Sequence, residues 1–130
     1  MIIDTSALVA VLDQESEAQR IVRTLASAPE RILSAANLVE VGIVMQARRG
    51  DDGARDLDLL LAKLRVDIAA VTANQADIAR KAFRRYGRER HAANLNFGDC
   101  FAYALARDKS APLQFKGNDF AKTDVMVASY

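Results

Sequence analysis

The chain has 130 residues and a mass of 14.2 kDa, the common size of one domain, which builds a core without disulfides or a structural metal. Hydrophobic residues make up 51% and charged residues 27%, which excludes a disordered tail. Lys and Arg total 18 against 17 Asp and Glu, a formal net charge of +1, so bulk charge does not drive nucleic-acid binding and any such binding needs a local patch. Cys100, the one cysteine, makes neither an internal disulfide nor a Cys-rich zinc site. The opening Met-Ile-Ile-Asp lacks a secretory leader, and apolar runs such as Ala7 to Leu12 are too short for a bilayer. The expectation is a reducing, cytoplasmic compartment and no membrane.

In chain order, Ile2 and Ile3 read as a short buried strand that stops at Asp4, after which Thr5 or Ser6 caps a helix through Leu12. Ser16 is expected to cap a second helix, with Ala18, Ile21, Val22 and Leu25 on one face, ending at Pro29. Arg31 to Ser34 is a second strand. A helix follows from Asn37 to Arg49, Gly50-Asp51-Asp52-Gly53 breaks it, and Leu57, Leu60, Leu61 and Leu64 mark the next. Asp67 to Val71 is a third strand, and Thr72 or Asn74 opens a long helix interrupted near Gly87. Asp99 starts a helix carrying Phe101, Ala102, Leu105 and Ala106. Leu113 to Phe115 is a fourth strand, and Val125 to Val127 a candidate last one. Short apolar strands alternating with amphipathic helices predict a single α/β domain, a largely parallel sheet flanked by helices.

In such a sheet, chemistry gathers beyond the carboxyl ends of the strands. Asp4 directly follows the first strand, Glu40 lies in the first turns after the second, Asp99 sits at a helix start, and Asp119 comes shortly after the fourth strand. Each has a plainer use: Asp99 as a helix cap, Glu40 with Asn37 as a capping pattern, Asp119 as a turn residue. Asp4 has no evident packing purpose. If the four converge, each ionised pair about 5 Å apart costs roughly 3 kcal/mol at an effective dielectric near 20, so protonation or a cation must relieve them. With oxygen donors and no His or Cys cluster, that cation is hard: Mg²⁺, or Mn²⁺ as its softer relative. Carboxylates, a hard ion and water make up the chemistry of phosphodiester hydrolysis.

Three segments resemble a known family. Ile2-Ile3-Asp4-Thr5-Ser6-Ala7-Leu8-Val9-Ala10 resembles the start of PIN domains, VapC-type ribonuclease toxins in particular. His91 to Ala106, containing Asn94-Leu95-Asn96-Phe97-Gly98-Asp99-Cys100, is similar to the diagnostic segment of one VapC subgroup, and Pro112 to Phe120 followed by Thr123-Asp124 resembles its closing motif. The matches run in family order over nearly the whole chain, with Ala92 standing where a proline is usual. The resemblance implies one PIN domain over residues 1–130 and a magnesium-dependent endoribonuclease. Asp4, Glu40 and Asp99 match the family's three acidic positions, and Asp119 the region of the fourth. It further implies that Asp4 and Asp99 bind Mg²⁺ directly or through water, that Thr5 or Ser6 orients the first carboxylate, and that Glu40 with Asp119 positions or deprotonates the attacking water. The implied partners are an RNA substrate, a VapB-type antitoxin covering the active groove, a second copy of the chain, and operator DNA through the antitoxin.

Arg80, Lys81, Arg84, Arg85, Arg88 and Arg90 crowd a segment whose one opposing charge is Glu89, and it leads into His91 and the Asp99 motif. Arg84, Arg85, Arg88, Arg90 and His91 are therefore the RNA-binding candidates, with Phe83, Tyr86 and Phe97 as stacking surfaces. The plainer reading is a solvated helix face, Phe83 in the core, His91 a hydrogen-bonded loop residue and Cys100 a small buried one. Two other Asp-initiated families are disfavoured. A haloacid-dehalogenase phosphatase needs a second Asp where Ser6 stands, and a receiver domain needs an Asp after its third strand, where Val71-Thr72 supplies none. The remaining alternative is a degenerate PIN domain that binds without cutting.

Overall fold

The computed structural model describes residues 1–128. Four parallel strands, β1 (Ile2–Ile3), β2 (Ile32–Ser34), β3 (Asp67–Ala69) and β4 (Leu113–Gln114), stand side by side in the order β3-β2-β1-β4. The chain builds outward from β1 to β2 and β3, then returns to lay β4 on the other flank of β1. The direction of winding therefore reverses beside β1. That reversal opens a crevice beyond the strand's carboxyl end, where Asp4 lies.

Strand alternation divides the core. Ile2 and Leu113 pack toward α4 (Ala73–Tyr86) and α5 (Phe97–Lys109) with Ala82, Tyr103 and Leu105. Ile3 and Leu33 pack toward α1 (Thr5–Leu12), α2 (Ala18–Ser27) and α3 (Ala35–Lys63) with Leu8, Ile21 and Met45. Helices thus cover both faces, the arrangement that parallel strands require. Among the described residues, no helix is long and apolar enough to cross a membrane.

Several boundaries differ from the sequence expectation. Asp4, not Thr5 or Ser6, is the N-cap of α1, its carboxylate accepting the Ser6 backbone N–H. Ser16 does not cap α2, which begins after Glu17 with no side-chain cap; its hydroxyl bonds the Glu17 carboxylate instead. Ser34 caps α3, two residues ahead of the expected start. The break expected after Arg49 is present: Arg49 and Gly50 leave helical geometry, Gly50 at φ 58° and ψ −143°, a backbone that only glycine adopts cheaply, so the span to Lys63 is two helices joined at a sharp kink. β3 is shorter than expected and exposed, since an edge strand has a neighbour on one side only. Thr72 caps α4, as one of the two expected residues. The last expected strand reduces to a single parallel bridge between Leu113 and Val127.

Candidate active site

Asp4 is 2% exposed, because β1 carries it straight from the core into the first turn of α1. Its Oδ2 accepts the Ser6 N–H at 2.9 Å, while its buried Oδ1 has no hydrogen-bond partner. Burial raises its pKa to about 7; the Ser6 hydrogen bonds oppose this, and the charges of Asp99 and Glu40 add to it. Ser6 thus orients the first carboxylate. Its hydroxyl also accepts the Lys116 N–H at 2.9 Å, tying α1 to the segment after β4.

Thr5 serves a different acid. Its hydroxyl donates to Glu40 Oε1, and the Asn37 amide donates to the same oxygen at 3.2 Å. Asn37, fully buried one turn before Glu40 on α3, also donates to the Gly98 carbonyl at 3.0 Å. The Asn37–Glu40 spacing is therefore no capping pattern but one helix face turned toward α5. Gly98 completes the grip by having no side chain: a Cβ there would fall 1.9 Å from Glu40 Oε2 and 2.6 Å from Oε1. Two donors hold one oxygen of Glu40, and a missing methyl makes room for the other.

Asp99 does not begin α5. Asn96 is the N-cap, its side chain accepting the Asp99 N–H at 2.9 Å while the Asp99 carboxylate accepts the Asn96 N–H at 2.9 Å, a reciprocal capping box. Burial is the main cause raising the Asp99 pKa, the Asn96 bond opposes it, Glu40 and Asp119 raise it further, and Arg88 lowers it. Asp4, Glu40 and Asp99 therefore lie within electrostatic reach of one another. Asp119 is exposed at the start of a 3₁₀ turn (Phe120–Lys122) and joins them through its charge on Asp99.

The donor set fits a divalent cation in one specific manner. Among the described residues, no three His, Cys, Asp or Glu side chains close into a cage by themselves. Mg²⁺ does not require one, since one or two carboxylates with water and substrate phosphate are its usual partners. An unpartnered carboxylate oxygen, buried beside two further acids, is what such an ion relieves.

The basic segment divides between two faces. Arg84 and Arg90 line a groove between α4 and α5, with Arg80. Arg85 lies on the opposite side of α4, over the Tyr86 ring at 4.9 Å and 3.9 Å from Asp124, so it does not join that groove. Arg88 is exposed and acts on Asp99. His91 is a surface loop residue whose Nδ1 accepts the Ala93 N–H at 2.9 Å and whose ring meets Tyr86 edge-on. Phe83, 40% exposed, faces the groove rather than the core. Cys100 is buried, and burial pushes its thiol up to about 11, which leaves it unreactive.

Comparison with known proteins identifies the family and the fold. The PIN domain family model matches residues 1–126. The chain belongs to the PIN-domain family. Within it, the chain is 50% identical over 129 residues to Ribonuclease VapC30 of Mycobacterium tuberculosis, covering 99% of this chain and 98% of that protein, which places it among the VapC ribonucleases. The crystal structure of M. tuberculosis VapC20, described as a sarcin-ricin loop cleaving toxin, matches this PIN fold with a TM-score of 0.78 at 20% identity, over 96% of this chain and 95% of that one. VapBC2 of Rickettsia felis, solved bound to a DNA fragment from its promoter, matches with a TM-score of 0.76 at 15% identity, over 97% and 94%.

Asn37 and Gly98 are the residues around Glu40 that sequence reasoning missed. Their signal was partial: Asn37 stands one helical turn before Glu40, and Gly98 directly precedes Asp99. Neither spacing reveals that residues 61 positions apart share a hydrogen bond.

Proposed function

We propose that this chain is a Mg²⁺-dependent endoribonuclease toxin, with Mn²⁺ as a substitute ion, that hydrolyses RNA phosphodiester bonds through Asp4, Glu40 and Asp99 with Asp119 in support. The observation that carries the reading is the buried, unpartnered Oδ1 of Asp4 beside two other carboxylates. Asp4 and Asp99 are the residues that would hold the cation. When bound, the ion supplies positive charge that keeps both acids ionised and stabilises charge developing on the phosphate. Ser6 fixes the direction of Asp4, and the capping box fixes Asp99. Glu40, with Oε1 held by Thr5 and Asn37 and Oε2 lying over Gly98, accepts the proton of the attacking water. Asp119 adds negative charge at the open side.

The promoter-bound VapBC2 complex supports a VapB-type antitoxin as the partner, with operator DNA reached through it; inhibition by that partner and a homodimer of the toxin belong to the same proposal. The cytoplasm is the matching compartment. The test uses the purified full chain, freed of any partner, on total RNA. Cleavage is expected with Mg²⁺ or Mn²⁺, lost in EDTA, and lost in Asp4→Asn while RNA binding persists. A wild-type chain that cuts no RNA with either ion overturns the enzyme and favours a non-cutting RNA-binding module.

A further inference from the structure

The groove between α4 and α5 has a volume of about 810 Å³, with Phe83, Phe97 and Phe101 on its walls, small Ala79 and Cys100 beneath, and Arg80, Arg84 and Arg90 at its rim. Among the described residues, no carboxylate lines it. On the other face of α4, Lys81 and Arg85 pair with Asp77 and Asp124, but none of the groove's three arginines closes an ion pair among the described residues. Phe97 is 79% exposed, the most exposed large apolar side chain described. Phe101 meets its ring edge-on, with centroids 4.9 Å apart and planes at 81°, which holds the ring in place while most of it stays in water.

We propose that this groove binds single-stranded RNA next to the cleavage site, with an unstacked base on Phe97 and flanking phosphates on Arg80, Arg84 and Arg90. The inference rests on the nuclease reading above and specifies which RNA that site accepts. Three features select this occupant. Guanidinium groups outside any close ion pair, on an apolar floor, match a strand that alternates phosphates with flat π-faces. Phe97 and Asp99 both lie in the first turn of α5, so the groove and the carboxylates sit at the same end of that helix, on different sides of it. Arg88, in the same loop as Arg90, lies within electrostatic reach of Asp99 and continues the positive track. A duplex keeps its bases stacked and has none to offer Phe97, so single strands, loops and bulges are preferred.

The test measures binding of a labelled single-stranded oligoribonucleotide about 12 nucleotides long to the full chain carrying Asp4→Asn, by fluorescence anisotropy across a salt series. Adding Phe97→Ala weakens binding roughly 5- to 150-fold. Arg80→Ala with Arg84→Ala lowers the salt slope of log K by about 1.4. Lys81→Ala changes neither, and the same RNA annealed to its complement binds more weakly than the single strand. Phe97 is exposed, so its truncation leaves the core intact. If wild type cuts no RNA at all, the nuclease reading has failed. If wild type cuts but its Phe97→Ala and arginine variants bind and cut as it does, this inference alone is overturned. It is equally overturned if those variants keep RNA affinity but change particle mass in light scattering, which would make the groove a protein interface.

Discussion

Two charged regions meet at the first turn of α5 and treat charge in opposite ways. On one side the acids are drawn under cover and fixed: Asp4 is buried, Glu40 is gripped by Thr5 and Asn37, and Asp99 is locked into a capping box. On the other side arginines rim an open groove, free of ion pairs among the described residues. Like charges taken out of water repel strongly, so the acidic side holds its geometry only through neighbouring donors and a counter-ion. Arginines left in water are screened by salt and cluster at little cost. The acidic side is therefore held in a fixed arrangement, while the basic side stays adaptable.

The largest test of that contrast is pH. Asp4 has a folded-state pKa of about 7 against an ordinary carboxylate value near 4, so the folded metal-free chain binds a proton that the unfolded chain has released. Its stability is fully present below about pH 4 and falls as pH rises to about 7, and the raised pKa of Asp99 acts in the same sense. The loss amounts to at most about 4 kcal/mol for Asp4. Urea midpoints in EDTA should drop between about pH 5 and pH 8, Mg²⁺ should restore them at the higher pH, and Asp4→Asn should remove most of the slope. A midpoint that is flat or rises over this range would mean that the acids are not under strain.

Next in size is Gly98→Ala. The added methyl collides with both oxygens of Glu40, so the carboxylate must leave the Thr5 and Asn37 donors. A misplacement of about 1 Å in a positioned group costs on the order of 100-fold in rate. Alanine is a better helix former than glycine by at most roughly 1 kcal/mol, which offsets part of the lost Thr5 and Asn37 hydrogen bonds, so thermal stability should change far less than kcat, which collapses. Single-turnover cleavage beside a melting curve separates the two, and full activity in this variant would remove Gly98 from the machinery.

The parts of this design that were legible in the sequence are those set by chain-local rules. Ile2 and Ile3 ahead of Asp4 announce a buried strand with an acid at its carboxyl end, and that is where Asp4 lies. The apolar stripe of α5 and the strand at Leu113 are equally plain. Asp99 came out two positions inside its helix because Asn96 competes for the cap and, being short and polar, wins it. The hold on Glu40 was not legible, since it joins Thr5, Asn37 and Gly98 from three elements and depends on an absent side chain. Nor did six basic residues in sequence disclose their division: α4's periodicity sets Arg80 and Arg84 on one face and Lys81 and Arg85 on the other.

The smallest effect falls on Thr5. Replacing it with Val keeps the shape and removes the hydroxyl that donates to Glu40 Oε1, while the Asn37 amide still holds the same oxygen. A hydrogen bond to a charged group is worth about 1.5–3 kcal/mol, and with a second donor in place the lower end applies, so kcat should fall about 10-fold. KM for RNA should stay constant, because no arginine of the groove is touched. Thr5→Ser restores the donor and should recover most of the rate. A loss that serine fails to rescue would point to packing by the methyl group instead. A shift in KM with kcat unchanged would break the separation between the fixed acidic side and the adaptable basic one, because a change confined to the first would then be felt in the second.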